Sequence, residues 1–406
     1  MQATARTPGR LFSLALALAA LITPLAVHLF FPVIPVVKAE LALTDAEAQL
    51  AFSISLFTMA FATLFYGSLS DRFGRRPVLL SGLALFLIGS AISAVAQTLA
   101  TLALGRLVQA VGAACAMTLV RVIARDAYRA EQLIRVIAYL TMFYTLGPMV
   151  SPIVGGVLID TLGWRSVFVF ALAAGAVITA LAYQAIPETR PADDAAASSG
   201  GFVRDYVALL REPLFTAFVL QSGFNSGAFL TMASASASLM KDLLQRPSTE
   251  FGLYFLLFPI GFFLGNLVSS RVGSRASNAT MVLSGSLLAA TTILAQALLL
   301  LNGWVTPFTL FLPGLFLTMA QGIALPYAQV GAMAVIPALA GTAAGIGVFM
   351  QNFCGALFAQ IYGLIADGTP RPMVAVVSTC GLLCLLVGSL PFALARRNRE
   401  ATAAGP

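Results

Sequence analysis

Two ionisable side chains, His28 and Arg106, lie inside long apolar segments of this chain of 406 residues. A histidine can exchange a proton near neutral pH, and an arginine at membrane depth needs partners in the protein interior. Gln109 follows Arg106 by three residues and shares its helix face. At 1.5 Å of rise per residue, His28 lies about 12 Å and Arg106 about 9 Å from the outer ends of their segments. We therefore expect both side chains at a similar depth, where they serve solute binding or proton transfer.

The composition excludes several other kinds of chemistry. Only 10% of the residues are charged and 59% are hydrophobic, so the chain lacks the polar surface of a water-soluble protein. Neither lysine, Lys38 or Lys241, follows a glycine, which excludes a P-loop ATPase, and a single histidine excludes an HExxH zinc protease. The net charge of +7 comes from arginines in short loops, where they set membrane topology. We expect no enzyme, no metal, no cofactor and no nucleic-acid partner.

Apolar runs bounded by charged or turn residues predict an all-α integral membrane protein with twelve transmembrane helices. Most basic residues lie in loops on the side of the N-terminus, which predicts that both termini are cytoplasmic. The predicted spans lie at about 11–36, 48–69, 78–97, 100–124, 134–159, 165–186, 213–240, 250–270, 279–302, 305–331, 338–366 and 371–394.

The chain divides into two halves that echo each other. Residues 72–74, Arg-Phe-Gly, recur as Arg-Val-Gly at 271–273, and residues 156–160 resemble residues 363–367. Offsets near half the chain length are typical of duplicated six-helix bundles. We expect an N-terminal bundle at 1–186, a cytoplasmic linker at 187–212, a C-terminal bundle at 213–394 and a cytoplasmic tail at 395–406.

The loop between spans two and three, residues 67–76, reads Gly-Ser-Leu-Ser-Asp-Arg-Phe-Gly-Arg-Arg. Its glycines permit close helix approach and a tight turn, and its aspartate can cap a helix or accept from an arginine. The segment resembles, without a gap, the G-x-L-x-D-R-x-G-R-R/K signature of the major facilitator superfamily. That resemblance implies transport by alternating access, with these residues as a cytoplasmic gate: Gly67, Asp71, Arg72, Gly74, Arg75 and Arg76.

Spans four and five extend the resemblance. Residues 106–114 resemble the family signature R-x-x-Q-G/A-x-G-A, which implies a substrate- or proton-linked arginine at Arg106. Residues 147–156 resemble the antiporter signature G-x-x-x-G-P-x-x-G-G, with Ser151 in place of the second glycine, and that signature is typical of exporters. Prolines bend such a helix and glycines let it pack closely. The packing residues are Gly147, Pro148, Pro152, Gly155 and Gly156.

With Arg125-Asp126 and Gly163-Trp164-Arg165, the first half resembles the bicyclomycin and chloramphenicol resistance (Bcr/CflA) branch. That branch carries an intramembrane aspartate in span one, and His28 stands at its position. All sixteen acidic residues fall in loops or at span ends. Three hypotheses stay open: His28 takes a proton in a hydrated outward-facing state, a neutral His28 hydrogen-bonds substrate or the surroundings of Arg106, or no proton is coupled.

Polar and aromatic side chains of the second half are predicted to line a central cavity opposite His28, Arg106 and Tyr144. Because no carboxylate would neutralise a cation there, we expect an uncharged or anionic amphipathic solute. The set comprises Gln221, Phe224, Asn225, Tyr254, Gln321, Tyr327, Gln351 and Asn352, with Phe30 from the first half.

The sequence thus predicts a monomeric transporter in the inner membrane of a bacterium, with the lipid bilayer, protons and a small molecule as its partners. We expect it to export an amphipathic compound or antibiotic by proton antiport. The alternatives are a facilitator or importer of a small metabolite, and a membrane sensor without transport.

Overall fold

The structure, a computed structural model, describes residues 9–190 and 202–403. The helices of the first half are α1 (Arg10–Ala19), α2 (Ile22–His28), α3 (Val33–Glu40), α4 (Asp45–Phe73), α5 (Arg75–Ala94), α6 (Leu99–Ala127), α7 (Ala130–Leu162) and α8 (Arg165–Ala185). The helices that follow are α9 (Phe202–Leu210), α10 (Pro213–Ser238), α11 (Ser248–Phe255), α12 (Leu257–Val272), α13 (Asn278–Leu301), α14 (Pro307–Val335), α15 (Ala340–Ile365) and α16 (Arg371–Ala403). A π-helical turn, Leu239–Leu243, extends α10.

Eleven helical segments in the described ranges are long and apolar enough to cross a membrane. Helix α10 completes the predicted twelve spans, since its 26 residues reach about 39 Å at 1.5 Å per residue. Its sequence is less apolar because Gln221, Asn225 and several serines lie along it, and nearly all of these side chains are buried by protein. The predicted all-α membrane fold is confirmed.

Span one is not the continuous helix that its apolar run suggests. It is interrupted after Ala19 and again after His28, which leaves three short helices. A proline follows each interruption: Pro24 lies in the first turn of α2, Pro32 directly precedes α3, and Pro35 lies in its first turn. Because a proline has no backbone N–H, it cannot bond back to the preceding helix and continue it.

The described parts of the predicted linker and tail are partly helical. Helix α9 lies within the segment 187–212, and α16 continues to Ala403, beyond the predicted end of the last span at 394. The remainder of the linker, 191–201, and the last three residues of the tail lie outside the described ranges.

The helices form two groups of six spans that meet along two helix pairs. Helix α4 packs against α15, and α7 packs against α11. We call the end of the bundle with the α4–α5 and α12–α13 connections the basic face, and the end with the α3–α4 and α10–α11 connections the opposite face. Span one begins at the basic face, and the last span ends there.

Hydrogen bonds join the two halves at the opposite face. Gln49 donates to Ser234 at 2.9 Å, Ser53 donates to Gln360 at 2.6 Å, and Lys38 pairs with Asp242 at 3.3 Å. At the basic face, in contrast, nothing lies within 4 Å of where a Cβ would stand on Gly67 or on Gly341 and Gly345 of α15. The halves are therefore closed together at the opposite face and apart at the basic face.

Candidate functional site

A cavity of about 220 Å³ lies between the two halves near the middle of the bundle. Span one, α4, α6 and α7 supply its wall on one side, and α10, α11, α12, α14 and α15 supply the other. Its lining residues are Thr23, Val27, His28, Leu56, Met59, Met117, Tyr144, Thr145, Pro148, Ser226, Phe229, Leu230, Phe255, Phe258, Pro259, Phe262, Thr318, Gln321, Leu325, Val348, Gln351 and Asn352.

His28 reaches the cavity from the last residue of α2. Its Nδ1 lies 3.3 Å from the carbonyl oxygen of Pro24, one turn earlier on the same helix. A carbonyl oxygen can only accept, so Nδ1 carries the hydrogen and Nε2 holds the lone pair of the neutral ring. The rings of Phe31 and Phe255 stand edge-on to the imidazole, with centroids 5.7 and 6.2 Å away. Since Phe255 belongs to α11, His28 contacts both halves of the protein.

Arg106 lies behind span one and is not among the residues that line the cavity. It is 1% exposed, and its Nη1 donates to the carbonyl oxygen of Ala26 at 2.8 Å and to Gln109 Oε1 at 2.6 Å. Its guanidinium carbon stands 4.2 Å from the centre of the Phe30 ring. The interruption of span one after His28 explains the bond from Arg106 to Ala26. There the Phe30 N–H bonds to the Val27 carbonyl oxygen, so the Ala26 carbonyl oxygen has no helical partner and can accept from Arg106. Arg106 therefore satisfies the backbone where the segment with His28 bends.

Gln109 extends this buried network to α5. Its Nε2 donates to Ser90 Oγ at 2.9 Å, and the Ser90 hydroxyl donates to the Phe86 carbonyl oxygen at 2.7 Å. Arg106 Nη2 has no hydrogen-bond partner in the described structure. Because Arg106 Nε also donates to the Ala51 carbonyl oxygen of α4 at 3.4 Å, the network holds four spans together and leaves the two N–H groups of Nη2 unused.

The structure brings five of the predicted cavity residues together. These are His28, Tyr144, Gln321, Gln351 and Asn352. Gln321 Nε2 donates to Ser226 Oγ of α10 at 3.2 Å. The amide nitrogens of Gln351 and Asn352 donate to carbonyl oxygens one turn earlier on α15, at 3.3 and 3.0 Å.

The other predicted residues of the second half lie elsewhere. Gln221 donates to Ser286 Oγ at 3.2 Å, and Asn225, one turn later, is 2% exposed with neither amide atom hydrogen-bonded in the described structure. Phe224 packs on Phe358, and Tyr254 packs between Phe308 and Phe311. The Tyr327 hydroxyl donates to the Gly273 carbonyl oxygen at 2.7 Å near the basic face. The sequence placed these residues at membrane depth but did not show which way each side chain points.

The basic-face loop is organised around Arg75, which is 2% exposed. The guanidinium pairs with Asp71, contacts Asp126 Oδ2 at 2.8 Å and donates to Ser70 Oγ at 2.8 Å. Gly74 turns the chain with a φ of +97°, a value that side chains disfavour. These contacts all stay within the first half.

Glu188, which follows α8, completes this arrangement and was not singled out by the sequence analysis. Its carboxylate accepts from the backbone N–H groups of Arg75 at 2.8 Å and Arg76 at 3.2 Å, so it caps the start of α5. Partial burial raises the pKa of Glu188, but backbone donors from Arg190, Arg75, Arg76 and Thr189 outweigh it, and the net pKa is lowered. Arg76 also donates to the Tyr183 carbonyl oxygen, and Arg190 donates to that of Arg72.

The predicted packing residues of span five contact two partners. Gly147 faces Pro24, and Gly155 faces the Leu29 carbonyl and Pro32 in span one. Gly156 instead faces the backbone of Ser248 and Thr249 in α11. Helix α7 therefore packs against span one on one face and against α11 of the second half on another. Pro148 lines the cavity, and Pro152 packs on α11.

Asp160, near the end of α7, also contacts α11. The sequence indicated only that it belongs to a repeated segment, not that it has a role of its own. Its carboxylate accepts from Ser248 N at 3.1 Å, Thr249 N at 2.7 Å and Thr249 Oγ1 at 2.8 Å. Helix α11 has no side-chain cap from its own N-cap residue, Pro247. Asp160 caps it from the other half of the molecule.

Within residues 9–190 and 202–403, no group of three histidine, cysteine or carboxylate side chains is placed to hold a metal ion. All four cysteines are unpaired and buried. The described lining of the cavity offers hydrogen-bonding side chains and aromatic rings.

Comparison with solved structures supports the fold. The chain superimposes on a bacterial homologue of the human lysosomal transporter Spinster, in an inward-facing, unoccupied conformation, with a TM-score of 0.74, 17% identity and coverage of 95% of this chain and 96% of the other. A D-xylose–proton symporter gives a TM-score of 0.74 at 14% identity, covering 93% and 96% of the two chains.

Comparison of sequences gives full-length relatives. Multidrug resistance protein D of Escherichia coli strain K12 is 26% identical over 362 residues, which cover 88% of this chain and 90% of that protein. A bicyclomycin resistance protein homolog of Haemophilus influenzae is 23% identical, covering 93% and 94%. Residues 16–359 match the family profile described as Major Facilitator Superfamily. The chain therefore belongs to the major facilitator superfamily and resembles its Bcr/CflA branch.

Proposed function

We propose that this protein exports a small amphipathic compound, such as an antibiotic, by alternating access coupled to proton entry. The observation that carries the proposal is the cavity between the halves, closed at the opposite face and bordered by a single titratable imidazole and by aromatic rings. The names of the relatives, which describe multidrug and bicyclomycin resistance, support export of drugs.

The proposal includes an orientation. The arginine-rich loops put the basic face in the cytoplasm by the positive-inside rule, together with both termini. The protein is then a multi-pass protein of the bacterial inner membrane, and its present conformation faces inward. In the outward-facing state, the network of Asp71 and Arg75 meets α15. In the present conformation, Gly67 of α4 and Gly341 of α15 face open space instead.

We assign proton coupling to His28 rather than to Arg106. Nε2 of His28 holds a lone pair next to the cavity, whereas Arg106 is enclosed by Ala26, Gln109 and Phe30. A proton on Nε2 turns an acceptor into a donor, so proton and solute can occupy the imidazole alternately. Arg106 acts as a positioning residue, because it bonds the bend that carries His28.

Reconstitution into liposomes tests this coupling. Wild-type protein should accumulate a transported drug against its gradient when a pH gradient is imposed, and His28→Gln, which keeps an acceptor but does not titrate, should only equilibrate it. His28→Ala should lose both activities, and His28→Asp should regain a response to the pH gradient. Gradient-driven accumulation by His28→Gln would contradict coupling at this position.

A facilitator or importer of a small metabolite is the second candidate. The absence of any carboxylate among the described cavity residues favours it, since carboxylates commonly carry protons in transporters. Growth of an expressing, pump-deficient strain across a panel of compounds separates the two. Selective protection supports export, and selective sensitisation supports uptake.

A further inference from the structure

We propose that two strained turns at the opposite face destabilise its closed state and thereby favour its opening. One turn joins α3 to α4 and contains Ala42, and the other joins α10 to α11 and contains Gln245. This proposal rests on the alternating access of the proposed function, because it concerns the free-energy difference between the inward-facing and outward-facing states.

The strain lies in the backbone of one residue in each turn. Ala42 has a φ of +51° and Gln245 has a φ of +53°, and within residues 9–190 and 202–403 no other residue except glycine has a positive φ. In this left-handed region the Cβ atom crowds the following carbonyl oxygen, which is unfavourable for alanine and glutamine. Such a conformation persists only where the surrounding structure imposes it.

Backbone hydrogen bonds hold each turn in this conformation. The Leu43 N–H bonds to the Lys38 carbonyl oxygen at 2.9 Å, which closes a Schellman motif at the end of α3. The Arg246 N–H bonds to the Met240 carbonyl oxygen at 2.8 Å and closes a wider turn after the π-helical segment. Glycine usually takes the left-handed place in such a motif. Because neither turn has a glycine at that place, both carry a cost that the sequence could have avoided.

The two turns are related by the internal repeat. They follow span one and span seven, which are the first spans of the two halves. A lysine precedes each strained residue by four positions, Lys38 before Ala42 and Lys241 before Gln245, and the chain has no other lysine. The same strained turn therefore occurs once in each half, at equivalent positions.

An ion bridge connects the two turns across the boundary between the halves. Lys38 Nζ contacts Asp45 Oδ1 of the first half at 2.6 Å and Asp242 Oδ2 of the second half at 3.3 Å. Asp242 lies in the π-helical turn, and its carbonyl oxygen accepts from the side-chain amide of Gln245 at 2.7 Å. Separation of the halves has to break the contact between Lys38 and Asp242. Its loss removes a restraint from both turns, and the left-handed residues can then relax.

The strained turns oppose the contacts that close the opposite face. The ion bridge of Lys38 and the cap that Asp160 supplies to α11 both favour the closed state. Relaxation of Ala42 and Gln245 favours the open state. Opposed contributions keep two conformations close in free energy, which a protein that switches repeatedly between them requires.

Substitutions at Ala42 test the proposal, because its side chain is exposed and a change there acts mainly on the backbone. Glycine removes the strain from the closed state, so Ala42→Gly should reduce the ratio of open to closed protein about fivefold. Valine is more strained than alanine in the left-handed region, so Ala42→Val should raise this ratio. Gln245→Gly should act in the same direction as Ala42→Gly, from the other half.

Spin labels at Leu162 and Leu301 measure the ratio. Both residues are exposed, they end α7 and α13 at the opposite face, and they belong to different halves. The four native cysteines are buried. In electron–electron distance distributions the open state gives the longer component. Thermal unfolding of the same proteins is recorded in parallel.

Gly368→Ala is the matched control. Gly368 has a φ of +77° in the turn between α15 and α16, and a Cβ there meets nothing within 4 Å. The side-chain hydrogen bonds of this turn stay within residues 367–371, so an alanine there is strained equally in both states. The control should lower the unfolding temperature and leave the ratio unchanged.

The outcomes separate the strained turns from alternating access. A ratio that falls in both glycine variants and rises in Ala42→Val supports the proposal. A higher unfolding temperature of Ala42→Gly with an unchanged ratio overturns it, because the turns are then equally strained in both states. An equal change of ratio in Gly368→Ala overturns it as well. Absence of the longer component in every protein, wild type included, would refute alternating access itself.

Discussion

The carboxylate of Asp160 is predicted to hold the opposite face closed. In the present conformation it accepts three hydrogen bonds from the first residues of α11, across the boundary between the halves. Separation of the halves has to break all three. Asp160→Ala should therefore shift the conformational equilibrium toward the state that is open at the opposite face.

The magnitude follows from helix capping. Loss of an N-cap side chain destabilises a helix start by about 0.5–2 kcal/mol, and the solvent exposure of Asp160 keeps the effect from exceeding that range. A loss of about 0.5–2 kcal/mol changes the ratio of the two states by roughly 2- to 30-fold. Asp160→Asn, which keeps one acceptor oxygen but no charge, should give a smaller shift.

Spin labels at Leu162 and Leu243 report this shift. Both residues are exposed, they flank the contact on opposite halves, and the four native cysteines are buried. Electron–electron distance distributions should gain a longer component in Asp160→Ala. Asp367→Ala is the matched control, because Asp367 stands at the repeat-related position and bonds only to Thr369 in the described structure. An unchanged distribution in Asp160→Ala, or an equal shift in the control, would refute the reasoning.

Two further predictions concern the buried and basic-face networks. Arg106→Lys should lower the free energy of unfolding by about 3 kcal/mol and abolish transport, because one ammonium cannot replace both Nη1, which bonds Ala26 and Gln109, and Nε, which bonds the Ala51 carbonyl oxygen. Thermal unfolding should show no such loss in Arg125→Lys, an exposed control. Glu188→Gln should lower the free energy of unfolding by about 1 kcal/mol. Because the pKa of Glu188 is lower in the folded than in the unfolded state, the extra free energy of unfolding of the wild type should be complete above about pH 4.5. It should disappear as the pH falls through the depressed pKa. Unfolding of both proteins across that pH range checks the sign, and a constant difference down to pH 3 would contradict it.

The helices were predictable because each apolar run carries its own signal. The predicted span at 100–124 and helix α6 at Leu99–Ala127 differ by only a few residues. The interruptions of span one lie near prolines that are visible in the sequence, but an apolar run alone does not reveal where a helix gives way to turns.

The site was harder to predict because its contacts join distant parts of the chain. The depth of Arg106 follows from its position in a span, yet its direction depends on a carbonyl that becomes free only when span one bends. Glu188 and Asp160 cap helices that begin far away in sequence, and no local pattern marks such a partner. Gln351 and Tyr327 both looked like cavity residues, but only packing decides which polar face meets the other half.

None of the described residues that line the central cavity is an aspartate, glutamate, lysine or arginine, and this has an energetic consequence. In the proposed antiport, exchange of an uncharged solute for one proton would move one positive charge into the cell in each cycle. Both the membrane potential and the pH gradient would then drive export. At 100 mV the potential contributes about 2.3 kcal/mol, or roughly 50-fold accumulation, compared with about tenfold for one pH unit. If the proposed proton antiport holds, a cavity without a fixed charge would let the cell expel a neutral compound with electrical work, even where internal and external pH are equal.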